Sequence, residues 1–168
     1  YADTLVVQSL TAGIDSMLDM ILQALREVYD PKTIVLRNDT ASREIEGLAQ
    51  EKRVVFGETT GIVTIEESGI RYQVDVLEGQ KTGFFFDQRE NRLALRDLVK
   101  GRRTLDCFCY VGAWAFSAAK FGATEIIGID SSEKAVKLAT GNAALNGLPG
   151  RFEAGDVFEK LRAFEKQK

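Results

Sequence analysis

The spacing of apolar residues in the first half of the chain predicts a mixture of strands and helices. Short apolar runs indicate strands, and apolar residues that recur at intervals of three and four indicate a helix. The predicted elements are a strand over 5–10, a helix over 13–29, a strand over 33–36 and two strands within 61–76. Asp30-Pro31 ends the helix, because proline disfavours the helical conformation of the residue before it. We therefore predict a small α+β domain over residues 4–78.

The second half of the chain shows a regular alternation of strand and helix patterns. Strands are predicted at 104–108, 125–129 and 151–154, with helices at 113–121, 132–145 and 157–166. This alternation is typical of a parallel sheet with crossover helices, so we predict an α/β fold.

The predicted sheet is short for its class. A doubly wound sheet usually has about five or more strands, and only three are predicted over residues 104–168. The chain also begins with tyrosine and ends just after a helix begins. We therefore expect it to be a middle piece of a longer protein, with residues 79–103 as a linker segment and helix between its two regions.

The composition excludes several kinds of chemistry. The chain has no histidine, so imidazole cannot act as a base, a nucleophile or a metal ligand. Cys107 and Cys109 are the two cysteines, which are too few for a four-ligand zinc site and argue against a disulfide framework. No segment is apolar over the roughly 18 residues that a membrane helix needs, and no secretory signal is visible. We expect a cytoplasmic protein with no metal site and no membrane partner.

The net charge of −3 hides an asymmetry along the chain. Residues 1–79 carry seven basic against fourteen acidic residues, whereas residues 80–103 carry seven basic against three. The basic residues of this stretch are Lys81, Arg89, Arg92, Arg96, Lys100, Arg102 and Arg103. Such a stretch can bind a polyanion, or it can be a solvated helix face. We predict that Arg92 and Arg96 contact RNA.

Acidic residues lie in or after the three predicted strands of the second half. Asp106 lies in the first strand, Asp130 ends the second and Asp156 follows the third. Ligands of open α/β sheets bind outside the carboxyl ends of the strands, where Asp130 can accept hydrogen bonds from a ribose. Asp156 can accept a hydrogen bond from an adenine amine. Each acid alone can equally be a helix cap, but the ordered set of three indicates a nucleoside ligand.

The turn after the first of these strands narrows the identity of that ligand. It offers one glycine, Gly112, whereas a dinucleotide site needs several so that backbone amides can approach a pyrophosphate. The negative charge of Asp106 suits a ligand with an ammonium and a sulfonium group. We therefore predict S-adenosylmethionine as the cofactor, with a nicotinamide-dinucleotide-dependent enzyme as the alternative.

Two segments carry a resemblance to a known family. The sequences GQKTGFFFDQRENR at 79–92 and LDCFCYVG at 105–112 resemble the class I S-adenosylmethionine-dependent methyltransferases that act on position 5 of cytosine in large-subunit ribosomal RNA. The resemblance implies a Rossmann-like methyltransferase sheet, of which residues 104–168 form the first half. It also implies an N-terminal RNA-binding domain of PUA type and a C-terminal catalytic half outside this sequence.

The resemblance implies a role for each matched residue. The implied cofactor-binding residues are Lys81, Thr82, Phe84, Asp87 and Arg89 on the linker side, Asp106, Phe108, Tyr110 and Gly112 around the methionine part, Asp130 at the ribose and Asp156 at the adenine. Cys109 lies in the same turn, where we expect it to contact the cofactor. Val111 stands where threonine is common in the family, which removes a hydroxyl that can bind the cofactor, and Ala113 stands where a second glycine is common. Simple core packing is the alternative interpretation for the three phenylalanines at 84–86.

The nucleophile that cytosine-5 methylation requires is not predicted in this chain. A thiolate must add to carbon 6 of the base before carbon 5 can accept a methyl group. Cys107 lies in a predicted buried strand, where a cysteine is usually a small apolar residue, and Cys109 lies at the cofactor turn. The family places its reactive cysteine in the later catalytic half, which implies a position beyond Lys168.

The expected function is therefore S-adenosylmethionine-dependent methylation of ribosomal RNA by the intact protein, with no catalytic residue in this chain. A catalytically silent RNA-binding or assembly module on the same fold is a further alternative. The expected partner is large-subunit ribosomal RNA, and a homodimer is suggested by analogy with the family alone.

Overall fold

A computed structural model describes residues 1–166, which fall into two compact units. The first unit comprises residues 1–64 and 74–84, and the second comprises residues 65–73 and the chain from Phe85 onwards.

The first unit is built around a fully buried central strand. Its strands are β1 (Thr4–Val7), β2 (Thr33–Asn38) and β3 (Glu51–Phe56), and its helices are α1 (Ala12–Asp15), α2 (Leu18–Tyr29) and α3 (Ser42–Ile45). In the sheet, β2 lies between β1, to which it is parallel, and β3, to which it is antiparallel. Every residue of β2 is buried, including Ile34, Val35 and Leu36. The predicted α+β character of this region agrees with that arrangement.

The structure corrects two details of the sequence prediction in this unit. The single helix predicted over 13–29 is two helices, because the Ser16 hydroxyl donates to the Gly13 carbonyl and the Met17 amide bonds the Ile14 carbonyl, which tightens the turn between them. The strand β3 was not predicted, because its first three residues are charged and leave an apolar run of only three.

A hairpin of β4 (Ile62–Glu67) and β5 (Ile70–Asp75) confirms the two strands predicted within 61–76. The boundary between the units passes through this hairpin, so that its tip, residues 65–73, groups with the second unit. That grouping differs from the predicted domain of 4–78. Its physical basis is a set of hydrogen bonds from the tip to the second unit, among them the buried ion pair of Glu67 with Arg92.

The second unit is a parallel sheet covered by helices. After a 3-10 turn at Phe86–Gln88, its elements are α4 (Arg89–Leu93), α5 (Arg96–Val99), β6 (Arg103–Cys107), α6 (Ala113–Lys120), β7 (Glu125–Asp130), α7 (Glu133–Asn146), β8 (Arg151–Ala154) and α8 (Val157–Glu165). The strand order is β6-β7-β8 and every pairing is parallel. The predicted α/β fold class is confirmed.

Small residues on α6 allow that helix to pack closely on the sheet. Ala115 and Ala118 form a cluster with three other buried residues: Val99 of α5, Ala123 in the loop after α6, and Ile126 of β7. The ring of Phe116 is fully buried, 5.4 Å from the ring of Phe152 on β8 and 6.1 Å from that of Tyr72 on β5. This packing fixes the start of α6, and with it the turn that leads from β6 into the helix. Across residues 1–166, no helix is long and apolar enough to cross a membrane.

Candidate functional site

The carboxyl ends of β6 and β7 meet at the carboxylate of Asp130. Cys107 at the end of β6 is paired with Ile129, so the turn after β6 lies beside the last residue of β7. The Tyr110 amide donates to Oδ2 of Asp130 and the Ser132 amide donates to Oδ1, each at 2.9 Å. Each carboxylate oxygen has a second lone pair, so the two can still accept the two hydroxyls of a ribose. The contact of Asp130 with a ribose stays a prediction.

The turn that holds Asp130 has an unusual backbone. Phe108 and Tyr110 adopt φ values of +63° and +48°, which side-chain-bearing residues rarely do, and Gly112 adopts +86°. A Cβ on Gly112 would lie 2.5 Å from the ring of Phe116, so only glycine fits there. Strained backbone of this kind is typical of ligand-binding turns, where the surrounding structure holds it in place.

Asp106 places a second carboxylate at the start of α6. Its Oδ2 accepts a hydrogen bond of 3.0 Å from the Ala115 amide, which lies in the first turn of the helix. The pKa of Asp106 is raised to about 7, chiefly by burial and also by the nearby charge of Asp130, while the hydrogen bond from the Ala115 amide lowers it. A cation bound beside it would favour the ionised form. The site thus fits a ligand that carries an ammonium group.

Asp156 follows β8, and two aromatic rings lie nearby in the chain order of the sheet: Phe108 follows β6, and Phe158 lies in α8. Asp156 caps α8, its Oδ1 accepting a hydrogen bond of 2.9 Å from the Glu159 amide. The ring of Phe108 is 62% exposed, and its centroid lies 6.1 Å from that of Phe158 in the first turn of α8. Two exposed aromatic rings, one of them two residues after Asp156, suit a purine, although Asp156 also has the capping role that its position predicts.

Neither cysteine has the features of a nucleophile. Cys109 is buried with its amide bonded to the Ile129 carbonyl, and a Cβ on Gly128 would lie 3.1 Å from its Sγ. Burial raises the pKa of the Cys109 thiol, as do the charges of Asp106 and Asp130. Burial and the charge of Asp106 also raise the pKa of Cys107. Both thiols therefore stay protonated at neutral pH, and that of Cys109 packs against β7.

The residues predicted from the segment 79–92 are divided between the two units. Lys81, Thr82 and Phe84 belong to the first unit, where the Tyr1 hydroxyl accepts from the Phe84 amide at 3.0 Å and lies 3.4 Å from the Thr82 hydroxyl. The side chain of Phe84 is buried, whereas Lys81 is exposed with φ of +50°.

Asp87 and Arg89 belong to the second unit, where both are exposed near the start of α4. Oδ2 of Asp87 accepts a hydrogen bond of 3.0 Å from the Gln88 side chain. The adjoining Phe85 ring packs edge-on against Tyr110 with centroids 5.9 Å apart, which joins this segment to the turn after β6.

The RNA contact predicted for Arg92 is wrong in this structure. Its side chain is 3% exposed, and its Nε and Nη2 donate to Oε1 of Glu67 at 2.8 and 2.6 Å. Nη1 and Nη2 also lie 3.2 Å from the Phe85 carbonyl. Its place in the basic stretch suggested an exposed side chain, but Arg92 points inward to a buried carboxylate. Arg96 is exposed, with its guanidinium 5.3 Å from the centroid of the Phe121 ring.

Two polar residues support the site in ways that were not predicted. Ser132, two residues after the end of β7, caps α7, and its backbone amide also orients Asp130. Asn142 is fully buried in α7 and bonds the Val111 carbonyl in the turn after β6. A polar residue at the spacing of the buried Ala135 and Ala139 could have indicated it.

Comparison with known proteins relates this geometry to a family. The model of the S-adenosylmethionine-dependent methyltransferase family matches residues 46–162. The ribosomal RNA large subunit methyltransferases I of Aeromonas hydrophila and Photobacterium profundum are 44% and 40% identical to the chain over 99% of its length. The chain spans 43% of the length of each of these relatives.

Solved structures show the same fold. A Streptococcus mutans protein assigned as an S-adenosylmethionine-dependent methyltransferase has a TM-score of 0.82 and 24% identity, covering 98% of this chain and 43% of its own. A further structure with the same TM-score, identity and coverage is of a protein complexed with S-adenosylhomocysteine (SAH). Trm5b from Pyrococcus abyssi has a TM-score of 0.73 and 19% identity, covering 92% of this chain and 46% of its own. The fold is thus the Rossmann-like fold of these enzymes, and S-adenosylmethionine is the cofactor of the matched family. The chain belongs to the S-adenosylmethionine-dependent methyltransferase family.

Proposed function

We propose that this chain is the cofactor-binding part of a methyltransferase that modifies carbon 5 of a cytosine in large-subunit ribosomal RNA. The observation that carries the cofactor-binding role is the Asp130 carboxylate, oriented by the amides of Tyr110 and Ser132. It lies where the ends of two neighbouring parallel strands meet, which is where ligands of such sheets bind.

In the proposed site, each carboxylate contacts a different part of the cofactor. Asp130 accepts hydrogen bonds from the ribose hydroxyls, Asp106 faces the ammonium of the methionine part and Asp156 accepts from the adenine amine. When bound, S-adenosylmethionine supplies a methyl group activated by its sulfonium. Gly112 leaves room for the chain to turn under the ligand, and Asp87 and Arg89 complete the pocket at the start of α4.

The proposed substrate and position of methylation rest on two supports. The relatives that match 99% of the chain are named as ribosomal RNA large subunit methyltransferases I, and the segments at 79–92 and 105–112 resemble enzymes that act on cytosine-5. Because the pKa of both thiols is raised, we place the nucleophile outside this chain, which spans 43% of those relatives. The homodimer and the cytoplasmic location stay predictions.

Calorimetric titration of the chain with SAH tests the proposed site. Asp130→Ala removes two hydrogen bonds from a charged group, so we expect the affinity to fall about 100-fold. Asp19→Ala on the exposed face of α2 is the matched control and should bind as the wild type does. Binding of NAD without binding of SAH would instead favour a nicotinamide-dependent enzyme.

A tritium-transfer assay with unmodified ribosomal RNA tests the reaction. The intact protein should transfer a methyl group that nuclease digestion identifies as 5-methylcytosine, and the 168-residue chain alone should not. Cys107→Ala and Cys109→Ala should leave transfer by the intact protein in place. RNA binding without transfer would favour the silent RNA-binding module, and transfer by the chain alone would contradict the placement of the nucleophile.

A further inference from the structure

Two asparagines of α7 bind the backbone of β5 as a neighbouring strand would. Asn146 accepts from the Arg71 amide at 2.8 Å and donates to the Arg71 carbonyl at 2.6 Å. Asn142 accepts from the Gln73 amide at 2.7 Å and donates to the Gln73 carbonyl at 3.1 Å. Each side-chain amide therefore pairs with both backbone groups of one strand residue.

The spacing of the two asparagines explains why a helix can do this. Four residues of an α-helix rise about 6 Å, and two residues of a strand advance about 6.6 Å. Residues two apart in a strand direct their backbone groups to the same edge. The spacing of the two asparagines therefore matches that of the two strand residues, and Asn142 binds Gln73 while Asn146 binds Arg71. The two side chains thereby cover the edge of β5 and fasten the hairpin tip, residues 65–73, to α7.

Asn142 makes one bond that Asn146 does not. Its Nδ2 also donates to the Val111 carbonyl at 3.2 Å, in the turn between Tyr110 and Gly112. The side chain of Asn142 is fully buried, and two carbonyls and one amide surround its carboxamide, which fixes which end is nitrogen. Asn146 uses its second donor for the Asn142 carbonyl within α7. Asn142 alone of the two therefore holds both the hairpin and the turn.

The bond to Val111 lies where the turn most needs support. The preceding residue, Tyr110, has φ of +48° and directs its amide at Asp130. A peptide in this conformation persists only when neighbouring groups hold it. If the Val111 carbonyl loses its donor while buried, the turn must shift to find another, and the Tyr110 amide moves with it.

The hairpin tip supports the same turn by a second route. Glu67 of β4 binds Arg92, and Arg92 donates to the Phe85 carbonyl. The ring of Phe85 packs edge-on against Tyr110, 5.9 Å between centroids. The turn is thus held on both sides of its strained residue by groups that the hairpin tip anchors.

We infer that Asn142 is a positioning residue of the cofactor site, which couples the hairpin tip at 65–73 to the turn that orients Asp130. This inference rests on the proposed binding of the cofactor at that turn. Asn142 then has a role beyond packing. It does not touch the ligand itself but affects binding through Val111 and Tyr110.

Asn142→Ala and Asn146→Ala form the matched pair that tests the inference. Both changes remove two bonds to β5, but only Asn142→Ala also removes the bond to Val111. In SAH titrations of the chain, we expect Asn142→Ala to weaken binding about tenfold and Asn146→Ala less than about twofold. Hydrogen exchange should show a loss of protection at the Tyr110 amide in Asn142→Ala and retained protection in Asn146→Ala.

The outcomes separate this inference from the proposed function. If the wild-type chain does not bind SAH, the proposed function fails. If the wild type binds but the two variants lose affinity and Tyr110 protection equally, or neither loses any, Asn142 is only a packing residue and the inference is overturned. Should Asn142→Ala not fold, Asn142→Ser keeps a polar group against β5 but is too short to reach Val111, and the same comparison with Asn146→Ser decides the question.

Discussion

The two units bury charged groups near the ends of their strands in opposite ways. At the end of β2 in the first unit, the buried guanidinium of Arg37 donates to both oxygens of Asp39 at 3.0 and 3.1 Å and to the carbonyls of Val76 and Gly79. Each charge there has a partner within the unit. Hydrogen bonding to Arg37 holds the pKa of Asp39 below its usual value.

In the second unit, the buried carboxylate of Asp106 has a different environment. Burial raises its pKa to about 7, and the charged group that acts on it is another carboxylate, Asp130. An ionised Asp106 therefore costs folding free energy that the Arg37–Asp39 pair does not. The contrast teaches that paired charges in this chain serve the fold, whereas an unfavourably placed buried charge is a candidate for ligand contact.

The largest expected effect comes from breaking the paired charges of the first unit. Arg37→Met leaves Asp39 and two backbone carbonyls without their donor, so we expect the free energy of unfolding to fall by about 3 to 5 kcal/mol in urea titrations. Arg53→Met is the control, because the Arg53–Glu51 pair is exposed and should contribute within about 0.5 kcal/mol. Equal effects of the two changes would contradict the structural role of Arg37.

The opposite change in the second unit should stabilise the chain. Asp106→Asn keeps an acceptor for the Ala115 amide but removes the buried charge, so we expect the free energy of unfolding at pH 8 to rise by up to about 4 kcal/mol, the equivalent of about three pKa units. The affinity for SAH should fall at least about tenfold, because the ammonium loses its partner. A variant that is both less stable and unchanged in SAH affinity would show that Asp106 serves the fold alone.

The sequence predicted the second unit better than the first for a physical reason. In the second unit, β7 is a short apolar run that ends at Asp130, and α7 has its own stop signal, Asn146-Gly147. Local pattern and final structure therefore agree there. In the first unit, β3 begins with three charged residues, and it is held in the sheet by pairing with β2, which no local pattern reveals.

The site shows the same division between local and long-range information. Asp130 and Gly112 could be predicted because strand ends and tight turns have local signals. Arg92 was predicted to contact RNA because it lies in a basic stretch, whereas its burial depends on Glu67, which lies 25 residues earlier. The role of Asn142 likewise depends on Gln73, 69 residues away.

Measuring the free energy of unfolding as a function of pH sharpens the comparison between Asp106 and Asp39. The folded-state pKa of Asp106 is raised from 3.8 to about 7, so the folded chain binds the extra proton and its stability falls as pH rises through that range. Asp39 acts in the opposite sense, because its pKa is lowered and its stabilisation is lost as pH falls. The difference between wild type and Asp106→Asn isolates the first contribution, and unfolding measured at intervals from pH 4 to pH 8 should show it growing with pH.

The affinity for SAH should depend on the same proton. Since the ionised form of Asp106 attracts the ammonium, we expect binding to strengthen about tenfold between about pH 6 and pH 8. Asp106→Asn should remove that dependence, while titration of the ligand amine affects both proteins equally. If the affinity for SAH changes with pH in the same way in the wild type and in Asp106→Asn, the titrating group belongs to the ligand and not to Asp106.

The smallest expected effect concerns RNA and separates two arginines that the sequence grouped together. In the intact protein, Arg96→Gln should reduce the slope of log affinity against log salt by about 0.7 to 0.9, the change expected for one phosphate contact. Arg92→Gln should instead lower the thermal midpoint, because it leaves Glu67 buried without its cation.

If Arg96→Gln leaves the salt slope unchanged, the exposed basic stretch is a solvated helix face and RNA is bound elsewhere. If Arg92→Gln changes the slope at full stability, its guanidinium leaves Glu67 when RNA binds, and the distinction between paired and ligand-binding charges would not hold for this residue.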